Sequence, residues 1–290
     1  MTKPTTQETP KQDSNSDFHS RHRPRNFDQV IGHENAVARL RGQVESGKLR
    51  GAYLFVGPSS VGKTTLARCF AAEVNGKPIE HQQSDYRESN AADQRSIDDM
   101  RELFRISKFK PSSKKRIFMI DEAQALLSNN VAATAILKPL EEAGNTDTIW
   151  ILGSMDPAKF TTGVGKAIAN RCDQYVLSKP TIENMVLQAK RIVIAERMSY
   201  LKSTALLTKI AEASNQEMRN VANIIQSLGD YYAGLKKKPE RITEDMLTDV
   251  LSSTESSEDQ LLHDVTVGAL TGQFKLAHRA LLDVADPFMF

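Results

Sequence analysis

Residues 54–66 read Leu54-Phe55-Val56-Gly57-Pro58-Ser59-Ser60-Val61-Gly62-Lys63-Thr64-Thr65-Leu66. A short apolar run, a glycine-bounded polar loop, a lysine, two threonines and a helix-forming Leu66-Ala67-Arg68 follow one another, the order of a phosphate-binding loop between a buried strand and a helix. Gly57 and Gly62 permit a tight turn, so that the N–H groups of Pro58's successors Ser59, Ser60 and Val61, with those of Lys63, Thr64 and Thr65, point into one concavity at a helix N-terminus. Phosphates fit there. Lys63 adds a point charge for the phosphate oxygens, and the Thr64 hydroxyl suits a magnesium ion, which keeps most of its waters. The bland alternative is a Gly/Ser surface loop, which lacks a reason for the flanking strand and helix.

The 290 residues are soft evidence for two domains, or for one with an appendage. With 40% hydrophobic and 26% charged residues the chain can build a core. No apolar run reaches the ~20 residues of a membrane span and no signal-peptide core opens the sequence. The expected location is therefore the cytoplasm or its equivalent: the compartment a virus occupies in its host cell, or the nucleus for a eukaryote. Cys69 and Cys172 cannot make a disulfide framework and are expected as thiols. A net charge of +2 leaves any nucleic-acid binding to a local patch.

Around the loop the texture alternates. Residues 1–19 are polar and are expected to form a disordered tail. Structure is expected from Arg21, with Phe27, Val30 and Ile31 as anchors and a helix over Glu34–Glu45 ended by Gly47. A helix over Thr64–Val74, a polar stretch over Gly76–Asp93 with room for one strand, and an amphipathic helix from Ile97 to Phe109 follow. Arg116–Asp121 and Thr148–Ser154 are continuous apolar runs, as in strands buried on both faces of a parallel sheet. Between them lies a helix over Asn130–Glu142, and after them a helix over Thr162–Asn170 and a strand over Arg171–Leu177. Residues 20–178 thus read as an α/β nucleotide domain. From Lys179-Pro180 to Leu251 the pattern is helical, a lid-like domain over 179–251 with helices Ile182–Arg197, Thr204–Ala213, Glu217–Leu228 and Thr243–Leu251. Residues 252–259 read as a linker, and 260–290 as two further helices, Leu261–Leu270 and Phe274–Leu282.

Asp121 and Glu122 end a buried strand at the edge where α/β sheets bind ligands. Asp121 is a candidate magnesium ligand and Glu122 a candidate general base for an attacking water, although acids also gather at helix N-termini for electrostatic reasons. Ser154, ending the next strand, is placed to touch a γ-phosphate or that water. Arg171 follows a helix, where a neighbouring copy could receive it as an arginine finger; a surface arginine without a role is the ordinary alternative. Arg219 opens a lid helix that could reach back to the γ-phosphate.

In that order these motifs resemble the AAA+ ATPases, and more narrowly the ATPase subunits of sliding-clamp loaders, replication factor C and the bacterial loader's motor subunit. Arg23-Pro24 with Phe27 and Val30-Ile31-Gly32 is similar to the family's adenine-site opening, which implies that Arg23, Pro24 and Ile31 touch bound nucleotide. Ala91–Asp98, Leu137–Glu142, Met155–Phe160, Asn170-Arg171-Cys172 and Glu217-Met218-Arg219 add to the likeness over residues 21–285. Asn170 stands where the family has serine, Ser154 where Thr or Asn is usual, and Gln124 where others carry His or Asp; the zinc-binding cysteines of the bacterial motor subunit are absent. The family's third, collar domain is expected to be longer than 260–290, so the chain is a fragment, carries a reduced collar, or has a partner supplying the remainder.

The resemblance implies ATP and Mg²⁺ as ligands, and a sliding clamp, other loader subunits in a pentamer-like assembly and primer–template DNA as partners, with no membrane. It implies hydrolysis stimulated by clamp and DNA, with the Arg171 finger supplied in trans. Arg101, Arg105 and Lys108 share one side of the helix before the acidic strand, where sequence-blind phosphate contact and an ordinary solvated face are both open. The rivals are another AAA+ ring motor, such as a branch-migration helicase or helicase loader, and a non-catalytic scaffold subunit.

Overall fold

The computed structural model describes residues 16–92 and 97–254. In chain order they form α1 (Phe18–Arg21), α2 (Glu34–Ser46), β1 (Ala52–Val56), α3 (Lys63–Asn75), β2 (Tyr86–Asn90), α4 (Ile97–Ser107), β3 (Arg116–Asp121), α5 (Asn130–Ala135), α6 (Leu137–Glu142), β4 (Thr148–Ser154), α7 (Gly163–Ala169), β5 (Asp173–Val176), α8 (Ile182–Ala195), α9 (Thr204–Ala213), α10 (Met218–Gly234) and α11 (Glu244–Thr254).

The strands make one parallel sheet in the order β2-β3-β4-β1-β5. Alternate side chains of its central strands enter two different cores, which is why those strands read as unbroken apolar runs. Leu54, Val56, Phe118, Ile120, Trp150 and Leu152 pack under α4, α6 and α7. Tyr53, Phe55, Ile117, Met119, Ile149 and Ile151 pack against α2 and α3. Trp150 stacks on Phe118 with ring centroids 4.6 Å apart, an arrangement that adds roughly 1 kcal/mol to the area buried. A third core, built from α8 to α11, contains Met185, Ile192, Leu207, Ile210, Ile225 and Leu228.

Several expectations are corrected. Ser16–His19 do not belong to a tail: Phe18 is buried in the core of α8–α11 and its N–H donates to Gln226 Oε1 at 2.8 Å. One apolar residue in a polar context suffices once a helical groove receives it. The single helix over 130–142 is two, α5 and α6, broken at Ile136. Pro139 explains the break, because its ring would strike the carbonyl of residue 135 in a continuous helix and it has no N–H to give. Arg171 precedes β5 instead of opening it, in a turn where its N–H bonds Ile168 O at 3.0 Å. Lys108 lies beyond the end of α4, and α11 runs to Thr254, into the expected linker. The remainder of the tail, most of the linker and the helices expected over 261–282 lie outside the described residues, as does the middle of the Ala91–Asp98 motif.

Candidate functional site

The C-terminal ends of β1, β3 and β4 meet at one edge, and the loop after β1 fills it. Gly57 donates its N–H to Ser154 O at 3.0 Å. A Cβ at Gly57 would sit 2.2 Å from Leu177 O, so only glycine fits between β4 and the chain leaving β5. Ser60 (φ +59°) and Gly62 (φ +97°) take the left-handed conformation, and the loop turns there into α3. The first turn of α3 faces a cavity of about 390 Å³ lined by Ser59 through Leu66, Asp121 and Glu122 on one side. Arg23, Pro24, Ile31 and His33 line a second wall, and Gln188, Met218, Arg219 and Ala222 of α8 and α10 a third.

Lys63 is 7% exposed. Its ammonium donates to Gly57 O at 2.8 Å and Pro58 O at 2.6 Å. Burial pulls its pKa below the usual lysine value, an effect opposed by the nearby Asp121 and Glu122 charges. Thr64 Oγ1 donates to Asp121 Oδ2 at 2.7 Å, and Asp121 Oδ1 accepts the Glu122 N–H at 3.0 Å. Glu122 itself holds φ at +51°, a strained conformation for a residue with a Cβ and one that clusters at functional sites. Gly153 makes room for this acidic corner, since a Cβ there would stand 2.8 Å from Asp121 Oδ1.

The site fits a nucleoside triphosphate: the volume suits a small-molecule pocket, typically about 300–1,000 Å³, and a buried ammonium served only by two loop carbonyls wants a more strongly charged partner. Among the described residues no group of three or more His, Cys, Asp or Glu is placed to hold a metal ion by itself. A metal here would be held as magnesium commonly is, by one or two protein groups and water, and the adjacent Thr64 hydroxyl and Asp121 carboxylate are groups that could serve.

Arg23 donates from Nε to Thr65 Oγ1 at 3.0 Å, and its pKa is lowered first by burial and then by the neighbouring Arg68 charge. Arg219 lines the cavity and makes no ion pair among the described residues. Four of the residues expected at the nucleotide site are not in the cavity wall: Gly57 and Pro58, whose carbonyls accept from Lys63, and Ser154 and Arg171. Ser154 is buried, its hydroxyl donating to Gln124 Oε1 at 2.9 Å. Arg171 pairs with Glu141 and donates to Ala167 O at 2.7 Å. Arg101, Arg105 and Lys108 are exposed, and Arg105 is paired with Glu102 at 2.7 Å. Sequence reasoning noted Gln124 but gave it no role, although it holds Ser154, and it passed over His33, whose Nε2–H donates to the loop carbonyl of Val61 at 2.9 Å. The signal for both was adjacency: one lies three residues past Asp121, the other directly after Gly32.

Residues 32–181 match the family model described as DNA polymerase III, delta subunit. The chain is 30% identical over 270 residues to the replication factor C small subunit of Haloarcula marismortui, covering 91% of this chain and 74% of that one. It is 28% identical over 268 residues to the replication factor C small subunit of Methanoculleus marisnigri, covering 91% and 76%. With the DNA polymerase III subunit tau of Bacillus subtilis it shares 30% identity over 220 residues, 70% of this chain and 38% of that longer protein. In fold it is similar to the Thermotoga maritima RuvB branch migration motor, at a TM-score of 0.65 and 19% identity, covering 92% and 90% of the two chains. With the phosphate loop, acidic corner and helical lid in place, the chain belongs to the AAA+ family of DNA polymerase clamp-loader subunits, that of the DNA polymerase III delta subunit and the replication factor C small subunits.

Proposed function

We propose that this chain is an ATP-binding and ATP-hydrolysing motor subunit of a clamp loader, which opens a sliding clamp and places it on primed DNA. The observation that carries the reading is the convergence of Lys63, Thr64, Asp121 and Glu122 on one cavity whose far wall is the lid arginine Arg219. Lys63 would exchange its two loop carbonyls for phosphate oxygens, and the amides at the start of α3 would take the rest of that charge. A magnesium ion at Thr64 and Asp121 would neutralise charge on the phosphate oxygens. Glu122 would orient and deprotonate the attacking water, while Arg219 reads the γ-phosphate from the lid. Arg171 does not line this chain's own cavity, which suits a finger given in trans to a neighbouring subunit, with Glu141 as its resting partner. Ser154 would act on the water or γ-phosphate after release from Gln124. Arg101, Arg105 and Lys108 would meet primer–template phosphates in a sequence-blind, salt-dependent way. ATP binding between subunits would shift the assembly toward the clamp-opening state.

The test is steady-state ATP hydrolysis by the purified chain, alone and with clamp, primed DNA and the other loader subunits, beside Lys63→Ala and Arg171→Ala. Hydrolysis stimulated by the partners, abolished by both substitutions, with ATP binding kept in Arg171→Ala, is the expected result. Folded protein that hydrolyses no ATP in any mixture would sink the motor reading.

A further inference from the structure

We infer that residues 16–25 form a strap joining the helical lid to the phosphate loop, and that Glu196, outside the cavity, is a positioning residue that sets nucleotide affinity through it. The inference rests on the nucleotide reading above and adds a component to that site.

The lid end of the strap is held three ways. Phe18 is buried in the lid core and bonded through its N–H to Gln226 on α10. Arg21 Nη1 donates to both oxygens of Glu196, at 2.9 and 3.0 Å, and His22 Nε2–H donates to Glu196 Oε1 at 2.6 Å. The other end is held by the nucleotide domain. Arg23 donates to Thr65 in the first turn of α3, Pro24 O accepts from Cys69 Sγ at 3.4 Å, and the Phe27 N–H donates to Glu73 Oε1 at 3.3 Å. His22, fixed to the lid, and Arg23, fixed to the phosphate-loop helix, are consecutive, so their Cα atoms lie about 3.8 Å apart. No slack separates the two attachments. His22, Arg23 and Pro24 also line the cavity, so any displacement of α8 against α3 must be carried by the backbone that forms the cavity wall.

Glu196 immediately follows α8, and its carboxylate gathers hydrogen bonds from two consecutive residues. Charge-assisted bonds of this kind are the stronger ones in proteins. Without them Arg21 and His22 lose their bonds to the lid, only Phe18 still holds that end, and the wall that His22 belongs to must be ordered in larger part by the nucleotide itself. An affinity loss follows, because ordering that is prepaid in the native chain becomes a cost of binding.

The experiment measures the dissociation constant of a fluorescent ATP analogue with magnesium for the full chain, for Glu196→Ala, Glu196→Gln and Arg23→Ala, and for the double variant of Glu196→Ala with Arg23→Ala. Glu183→Ala, an exposed acid on the same helix, is the control. Glu196→Ala is expected to bind about tenfold more weakly, Glu196→Gln to fall between, and Glu183→Ala to match the wild type. Because Glu196 acts through the strap, the double variant should bind no more weakly than Arg23→Ala alone. Hydrogen exchange without nucleotide should rise over residues 16–23 in the Glu196 variants while α3 stays protected. Where the alanine variant fails to fold, the glutamine variant carries both readouts. Wild-type binding with an unchanged constant in the folded Glu196 variants, or fully additive losses in the double variant, would overturn the strap alone. A wild-type chain that binds no nucleotide would overturn the reading of the site, and the strap with it.

Discussion

Gly153→Ala tests whether the acidic corner is held by the tight approach of β4 to β3. A methyl at residue 153 would stand 2.7 Å from Met119 Cε and 2.8 Å from Asp121 Oδ1, where ordinary contact begins at 3.4 Å. Met119 can yield a little, being met at the free end of its side chain. Asp121 cannot retreat without loss: one oxygen accepts from Thr64 at 2.7 Å and the other from the Glu122 N–H at 3.0 Å. The carboxylate must move by about 0.6 Å, an overpacking of the kind that costs roughly 1–3 kcal/mol. One weakened hydrogen bond adds about 1 kcal/mol. Unfolding free energy should therefore fall by about 2–4 kcal/mol, measured by urea titration with the fluorescence of Trp150, the chain's one tryptophan. Because misplacing a catalytic group by 1 Å can cost a rate factor of about 10², hydrolysis should fall about 10- to 100-fold, with half-saturation shifted to higher magnesium. A folded Gly153→Ala protein with wild-type stability, rate and magnesium dependence would refute the claim that this close approach sets the position of Asp121.

The remaining expectations concern the scaffold. Gly42 sits inside α2 with open space around its missing Cβ, so Gly42→Ala should stabilise the nucleotide domain by about 0.5–1 kcal/mol, read in the same urea titration. Burial pushes the thiols of Cys69 and Cys172 up to about 12. Native protein at pH 8 should thus carry about one thiolate in 10⁴ at each and resist iodoacetamide, with both cysteines alkylated promptly in denaturant.

What the sequence displays best is whatever local chemistry writes in full. The phosphate loop, the double-faced strands β3 and β4, and the amphipathic helices α2, α4 and α8 are each determined by residues close together in the chain. β2 is harder to see because it is a sheet edge: Arg87 and Glu88 are exposed, and a polar edge strand looks like a loop. Phe18 was hidden for the opposite reason: Arg21 and His22 touch its ring, but the core that buries it begins only at Met185. The same distance problem covers Ser154 and Arg171. Their residue types suggested roles, but Gln124 and Glu141, which hold them, are each 30 residues off. The strap between lid and phosphate loop is likewise a product of long-range pairing.

Two sets of buried polar groups occupy opposite ends of the sheet, and the contrast between them separates framework from site. At the far end from the cavity, Asp85 is 2% exposed and accepts the N–H groups of Ser112 and Ser113 at 2.9 and 2.5 Å. Arg116 beside it spends its guanidinium on the carbonyls of Ile106, Phe109 and Lys110 as well as on Asp85. Asn75 and Gln82 bond each other and the backbone at Lys115 and Lys77. These groups tie the end of α3 and the α4–β3 turn to the start of the sheet, and apart from Arg116 Nε their buried polar atoms find partners within the chain, as buried polar groups require. At the cavity the pattern reverses. Lys63 is as buried as Arg116, yet has two loop carbonyls and no carboxylate within bonding distance among the described residues. A charge buried without its counter-charge costs several kcal/mol of stability. The fold leaves Lys63 without a directly bonded carboxylate, though Asp121 and Glu122 lie near enough to act on its charge, at the end where a polyphosphate could bind, and ties the other end of the sheet through partners of its own.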